Sequence, residues 1–174
     1  MVSRIDQLLD KSDVSDTVRR YFLAMDKFDW DTVASLVGEQ MTLDADAPGV
    51  EPGAVTRAEF VRTLIARNGG FVGTMHLNPD HVVDLDESDA DKAHVTAHMW
   101  AGHSVGPDPA DSFWGYGIYE IDLVRTQGRW RIVALRIQPA GVLAGGGHPA
   151  DIYARAADQQ RAGNSNGDPN INRP

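Results

Sequence analysis

The sequence predicts an α+β fold, helices first and a mostly antiparallel sheet after them, and three observations carry that expectation. Apolar residues recur at helical spacing through most of the first 68 residues, whereas from about Thr74 the period changes to two. The alternating segments follow one another through short turns, not through intervening helices. Finally, 174 residues with 42% apolar content and no cysteine suffice for one hydrophobic core without disulfides or structural metal.

Taken in order, Ser12 or Asp13 caps a first helix running to about Lys27, with Val14, Val18, Tyr21, Phe22 and Met25 on its apolar stripe. Asp29 caps a short second helix, "WDTVASLV", which Gly38 ends through a left-handed position. "MTLD" (41–44) is a short strand, and a loop rich in Pro and Gly follows. Thr56 and Glu59 form a capping box for a third helix through Asn68, ended by Gly69 and Gly70. "MHLNPDHVVDLD" reads as one strand in which Pro79 marks an edge or a bulge, and "ESDAD" as the turn after it. "AHVTAHMWAGH" alternates: Ala93, Val95, Ala97, Met99, Ala101 and His103 share one face, and His94, Thr96, His98 and Trp100 share the other.

"SFWGYGIYEIDLVR" and "RWRIVALRIQP" are two further strands joined by the tight turn "TQG". "AGVLAGGGHP" reads as flexible, "ADIYARAADQQRA" as a helix and "GNSNGDPNINRP" as a polar tail. The chain thus divides into an α+β domain over 1–140, a C-terminal helical region over 141–162 and a tail over 163–174. A strongly twisted sheet of this kind forms a cone closed by the early helices. The pocket between sheet and helices is the place to expect a site.

Charge and composition exclude several functions. Sixteen basic against twenty-five acidic residues give a net charge of −9, which repels phosphate backbones, so no nucleic-acid partner is expected. The absence of cysteine rules out a thiol nucleophile and suits a reducing compartment. Charge interrupts every short apolar run of "MVSRIDQLLDK", so the start does not read as a signal peptide, and no run reaches the roughly 18–20 apolar residues of a membrane span. The expectation is a soluble cytoplasmic domain. No nucleophile elbow, Walker loop or dinucleotide fingerprint is present. His94 and His98 have metal-like spacing, but on a strand they lie roughly 13 Å apart and cannot chelate one ion together.

Three scattered residues remain. Asp26 continues the stripe Val14, Val18, Phe22, where a hydrophobic side chain would be ordinary. His76 opens one strand, and His103 closes another on its otherwise apolar face. Each has a structural reading when taken singly. Together they suit one chemistry: a histidine held in one tautomer by a buried carboxylate removes a proton from carbon, and a second histidine serves the departing oxygen. Such a site performs elimination or isomerisation and needs no metal and no nucleotide.

Several segments together resemble a known family: "VRRYFLAMDKFDWDTVASLV", "TRAEFVRTL", "GTMHLNPDHVVDLDESDADKAHVTAHMWAGH" and "YEIDLVRTQGRWRIVALRIQP". In order and spacing they are similar to SnoaL-like, scytalone dehydratase-like members of the nuclear transport factor 2-like superfamily, over about residues 5–140. The resemblance implies a cystatin-like cone and a homo-oligomer, a trimer or a dimer. It also implies an aspartate–histidine pair at Asp26 and His76, with a second histidine at His103. Departures are as informative. Two tyrosines of scytalone dehydratase fall here on Met25 and Ala45, and an asparagine and a serine fall on Tyr119 and Gly117, so scytalone itself is not the expected substrate.

The substrate side of the site is expected from Tyr21, Phe22, Met25, Met99, Trp114, Tyr119, Arg136, Val142 and Leu143. Tyr21 either replaces a lost hydroxyl or is a core tyrosine. Arg136 either binds an anionic or carbonyl group or faces solvent. Trp114 has the wrong parity to share a face with Tyr119 unless a bulge intervenes. The C-terminal helix is either a lid hinged at Gly145 to Gly147 or a subunit contact. The leading reading is a cofactor-independent dehydratase-type lyase or isomerase acting on a small hydrophobic cyclic ketone or alcohol. The alternatives are a non-catalytic small-molecule-binding or assembly module, and a polyketide cyclase.

Overall fold

The computed structural model describes residues 3–45, 53–143 and 147–163. The chain opens with α1 (Arg4–Asp26) and α2 (Trp30–Leu36), followed by β1 (Val37–Ala45), β2 (Gly53–Thr56) and α3 (Arg57–Asn68). The sheet continues with β3 (Gly73–Leu77), β4 (His81–Leu85), β5 (Lys92–Ser104), β6 (Ser112–Thr126) and β7 (Arg129–Leu143), and α4 (Pro149–Arg161) comes last. The strand order is β2-β1-β7-β6-β5-β3, with β4 also on β5. β1 runs parallel to β7, and every other pairing is antiparallel. This is the expected α+β cone, a curved and unclosed mixed sheet with the helices against its inner face.

α1 starts earlier than the Ser12 or Asp13 cap expected from periodicity. Ser3 accepts from the Asp6 N–H, and the Asp6 carboxylate accepts from the Ser3 N–H, so Asp stands where a capping box usually has Glu or Gln. The added turns carry Ile5, Leu8 and Leu9 on the surface, and the buried stripe begins at Val14 as read. At the other end Phe28 takes a left-handed φ of 54°, which turns the chain so that Asp29 can cap α2. Gly38 does not end α2. The helix passes at Val37 directly into β1, which is longer than "MTLD", and Gly38 sits in that strand.

The Thr56–Glu59 box opens α3 as expected, with both reciprocal hydrogen bonds formed. "MHLNPDHVVDLD" is two strands, not one. Proline cannot donate to a ladder, so the segment leaves the sheet at residues 78–80 and returns as β4 on the same edge of β5. In that gap the Asp80 carboxylate takes up the His98 N–H at 3.3 Å. Gln127 and Gly128, with φ of 53° and 73°, make the two-residue turn from β6 to β7.

β7 reaches beyond the expected "IQP" end to Leu143, paired with Trp114, so residues 140–143 belong to the sheet and not to a flexible segment. The Gly145 to Gly147 hinge falls largely outside the described residues, as does the tail beyond Gly163 and most of the loop after β1. α4 packs on α3 and β6, burying Ile152 and Ala156. No helix among the described residues is long and apolar enough to cross a membrane. The core joins the α1 stripe to the inward residues of the sheet, including Val95, Tyr119, Ile121 and Ile132.

Candidate active site

Asp26 is the last residue of α1, at the negative end of the helix dipole and with no basic residue in the final turn. A carboxylate here needs donors from another element, and β3 supplies them. Thr74 Oγ1 donates to Asp26 Oδ1 at 3.0 Å, the His76 backbone N–H donates to Oδ2 at 2.9 Å, and His76 Nδ1 lies 2.6 Å from Oδ1. Burial alone would push the Asp26 pKa up. The hydrogen bond and charge of the His76 ring, with the His76 and Thr74 donors, outweigh it and hold the carboxyl below its ordinary value.

The ring of His76 is nearly buried and lies against Phe22, with 5.7 Å between centroids. Its Nδ1 hydrogen is assigned from its partner: beside an ionised carboxylate Nδ1 is the donor, so whenever the ring is neutral the lone pair is on Nε2. Among the described residues no protein group is bonded to Nε2. One nitrogen is therefore fixed and the other is open to the cavity that His76 lines.

His103 stands opposite Thr74 in the β3–β5 register, and its ring is 5.4 Å from that of His76, edge to face. Phe113 stacks on it at 5.0 Å, while Phe71 and Tyr153 pack around it at 4.9 and 5.7 Å. Its Nδ1 is buried without a hydrogen-bond partner. Burial, aided by the nearby charges of His76 and Arg67, lowers its pKa well below the ordinary histidine value. His103 is thus a neutral imidazole, able to donate one N–H but not to act as a standing reservoir of acid.

These groups border a cavity of about 310 Å³. Helix α1 lines it with Tyr21, Phe22 and Met25, the sheet with Met99, Tyr119 and Val142 among others, and α4 with Pro149 and Tyr153. Burial pushes the phenols of Tyr21 and Tyr119 up, so both remain hydroxyls. Among the described residues no group of three or more histidines and carboxylates is arranged to hold a metal ion.

Most of the residues singled out from sequence meet here, and three do not. Trp114 alternates with Phe113 and Gly115, which face inward, and lies on the outer face over Gly102, 6.1 Å from the Trp100 ring. No bulge reverses its parity. Arg136 alternates with Leu135 and Ile137, is exposed, and stands opposite Glu120 in the register. Leu143 is 47% exposed and outside the lining.

Sequence reading also missed Thr74, Arg67, Phe113 and Tyr153. Thr74 was within reach, since it lies two residues before His76 on the same strand face. Phe113 follows from the parity of β6. Arg67 and Tyr153 carry no local signal, because they meet only where α3 and α4 pack.

The interior of the cone sets a histidine–carboxylate pair beside a partly open, largely apolar cavity, the kind of concave surface on which small molecules are bound. The chain belongs to the SnoaL-like domain family, whose model matches residues 6–136, and its fold is the cystatin-like cone that the sequence resemblance implied. Three solved structures illustrate the likeness. The Kfla4162 protein from Kribbella flavida is 25% identical, with a TM-score of 0.72 over 80% of this chain and 97% of that one. A protein from Novosphingobium aromaticivorans, provisionally named a scytalone dehydratase, is 21% identical, with a TM-score of 0.68 over 79% and 89%. Hexachlorocyclohexane dehydrochlorinase LinA-type3 from Novosphingobium barchaimii is 14% identical, with a TM-score of 0.64 over 81% and 93%. The last two likenesses are of fold. Comparison with curated proteins gives no sequence match.

Proposed function

We propose that this protein is a cofactor-independent lyase of the dehydratase type, or an isomerase, acting on a small hydrophobic cyclic ketone or alcohol. The observation that carries the reading is the 2.6 Å contact of His76 Nδ1 with Asp26, which leaves Nε2 open to an apolar cavity. Fold neighbours named for dehydration and dehydrochlorination, both eliminations, support it.

In this mechanism His76 Nε2 takes a proton from the carbon beside a carbonyl, and the electron pair moves towards the carbonyl oxygen. Asp26 stabilises the imidazolium that forms, at no cost in reorganisation because its other donors already hold it. A neutral His103 donates its N–H to the developing oxyanion. In the elimination the C–O bond then breaks, the imidazolium returns its proton to the departing hydroxide, and water and an unsaturated product leave with His76 restored. In the isomerisation the same proton goes back to a different carbon. The apolar walls exclude water and strengthen each of these electrostatic contacts.

The test is turnover of small cyclic β-hydroxy ketones, followed by the ultraviolet absorbance of the conjugated product. Asp26→Asn and His76→Ala are expected to fold normally and to lose on the order of a hundredfold or more in kcat/KM. Wild-type protein that binds such compounds without converting them would identify a binding module instead.

A further inference from the structure

Arg67 is the unexplained charge in the cavity. Three other partly buried or bridging arginines are matched to carboxylates: Arg57 to Glu39, Arg125 to Asp10 and Arg155 to Asp111. Arg67, in the last turn of α3, lines the apolar cavity, and among the described residues no carboxylate lies within ion-pair distance of it. Its neighbour is a neutral ring. Nη2 donates to the Tyr153 hydroxyl at 3.0 Å, and the guanidinium carbon sits 5.0 Å from the centroid of that ring.

A half-buried guanidinium costs free energy unless an anion meets it, and among the described residues none is supplied. Tyr153 uses one of five guanidinium donors and, by accepting, leaves its own O–H free to point at a ligand oxygen. A planar fork with a hydroxyl beside it matches a carboxylate. The position fits a substrate handle as well. The Tyr153 ring is 5.7 Å from His103, and His103 is 5.4 Å from His76, so an acid group at Arg67 would extend the ring system across His103 to the open Nε2.

We propose that Arg67 and Tyr153 bind the carboxylate of the substrate, which makes it a cyclic ketone or alcohol that also carries an acid group. This rests on the reading of the cavity as a substrate site. A cavity of about 310 Å³ lies at the small end of ligand pockets, which limits such an acid to one or two rings.

Titration calorimetry on the full chain, with naphthalene-2-carboxylate and 2-acetonaphthone as probes of matched shape, tests the proposal. Wild-type protein is expected to bind the carboxylate at least about tenfold more tightly than the ketone. Arg67→Met should erase that preference and leave ketone affinity within about twofold, while Arg67→Lys keeps part of it. Equal affinities in the wild type, no binding of the carboxylate, or a preference that survives Arg67→Met overturns the proposal. The wild-type comparison decides even where a variant fails to fold. A carboxylate preference found together with full turnover in Asp26→Asn strikes the catalytic reading and not this one. The reverse pattern strikes this one alone.

Discussion

Two histidine–carboxylate contacts of equal length occupy opposite faces of the same sheet. Inside the cone His76 Nδ1 lies 2.6 Å from Asp26, and on the outer face His94 Nδ1 lies 2.6 Å from Asp122. The difference is at the second nitrogen. His94 Nε2 is also held by a carboxylate, Glu120, at 2.6 Å, whereas His76 Nε2 faces the cavity. Burial opposes charge on His94, but the hydrogen bonds and charges of Asp122 and Glu120 outweigh it and raise the pKa. With both nitrogens donating, His94 has no lone pair to offer and is a clamp between strands. A close carboxylate is common to both histidines; what sets His76 apart is a second nitrogen that no protein group occupies among the described residues.

The largest effect expected from breaking this contrast is on turnover. Asp26→Asn or His76→Ala should cost on the order of a hundredfold or more, while His94→Gln should leave kcat/KM within about twofold. Equal losses at the two sites would erase the distinction. His103→Phe comes next, because it keeps the ring stacked on Phe113 and removes only the N–H. A drop of about a hundredfold with little change in KM is expected, as for loss of one oxyanion donor.

Enclosure separates the two sites as well, and Gly70 tests it. A Cβ there would lie 1.8 Å from the Ala156 carbonyl oxygen, so Gly70→Ala must push α4 away. A loss of about 1–3 kcal/mol in urea unfolding is expected, with weaker ligand binding in the cavity and the NMR shifts of His94 unmoved.

The smallest effect sharpens the contrast through pH. The folded pKa of His103 lies below its ordinary 6.5, so its contribution to stability is full above 6.5 and is lost as pH falls through that value. The folded pKa of His94 lies above 6.5, so its contribution is full below that value and is lost as pH rises through the raised one. Urea midpoints at about pH 5 and about pH 8 should therefore shift in opposite senses in His103→Phe and His94→Gln. His81, lowered by burial and by Arg19, slopes like His103, so the difference between each variant and wild type is the quantity to read. Asp26 adds its loss only at more acid pH, below the ordinary 3.8.

Much of this was legible in the linear chain. The order of helices and strands, the Thr56–Glu59 box, the inward parity of His103 and the anomalous Asp26 all follow from propensity and period, which involve residues a few positions apart. Period also put His76 on a strand, although β3 begins at Gly73 and His76 is near its end rather than its start, and the chemistry of the residue types suggested its partner fifty residues earlier.

Tertiary structure alone completed the walls of the site. Ala140 is an extra residue in β7 between the partners of Tyr116 and Gly117, so inward parity passes from Leu135 and Ile137 to Val142. Arg67 and Tyr153 are 86 residues apart and meet because Gly70 lets α4 come close to α3. Local patterning determines which face of each element is apolar. The register, the bulge and the approach of two helices depend on packing summed over the whole core, and no single segment of sequence encodes that sum.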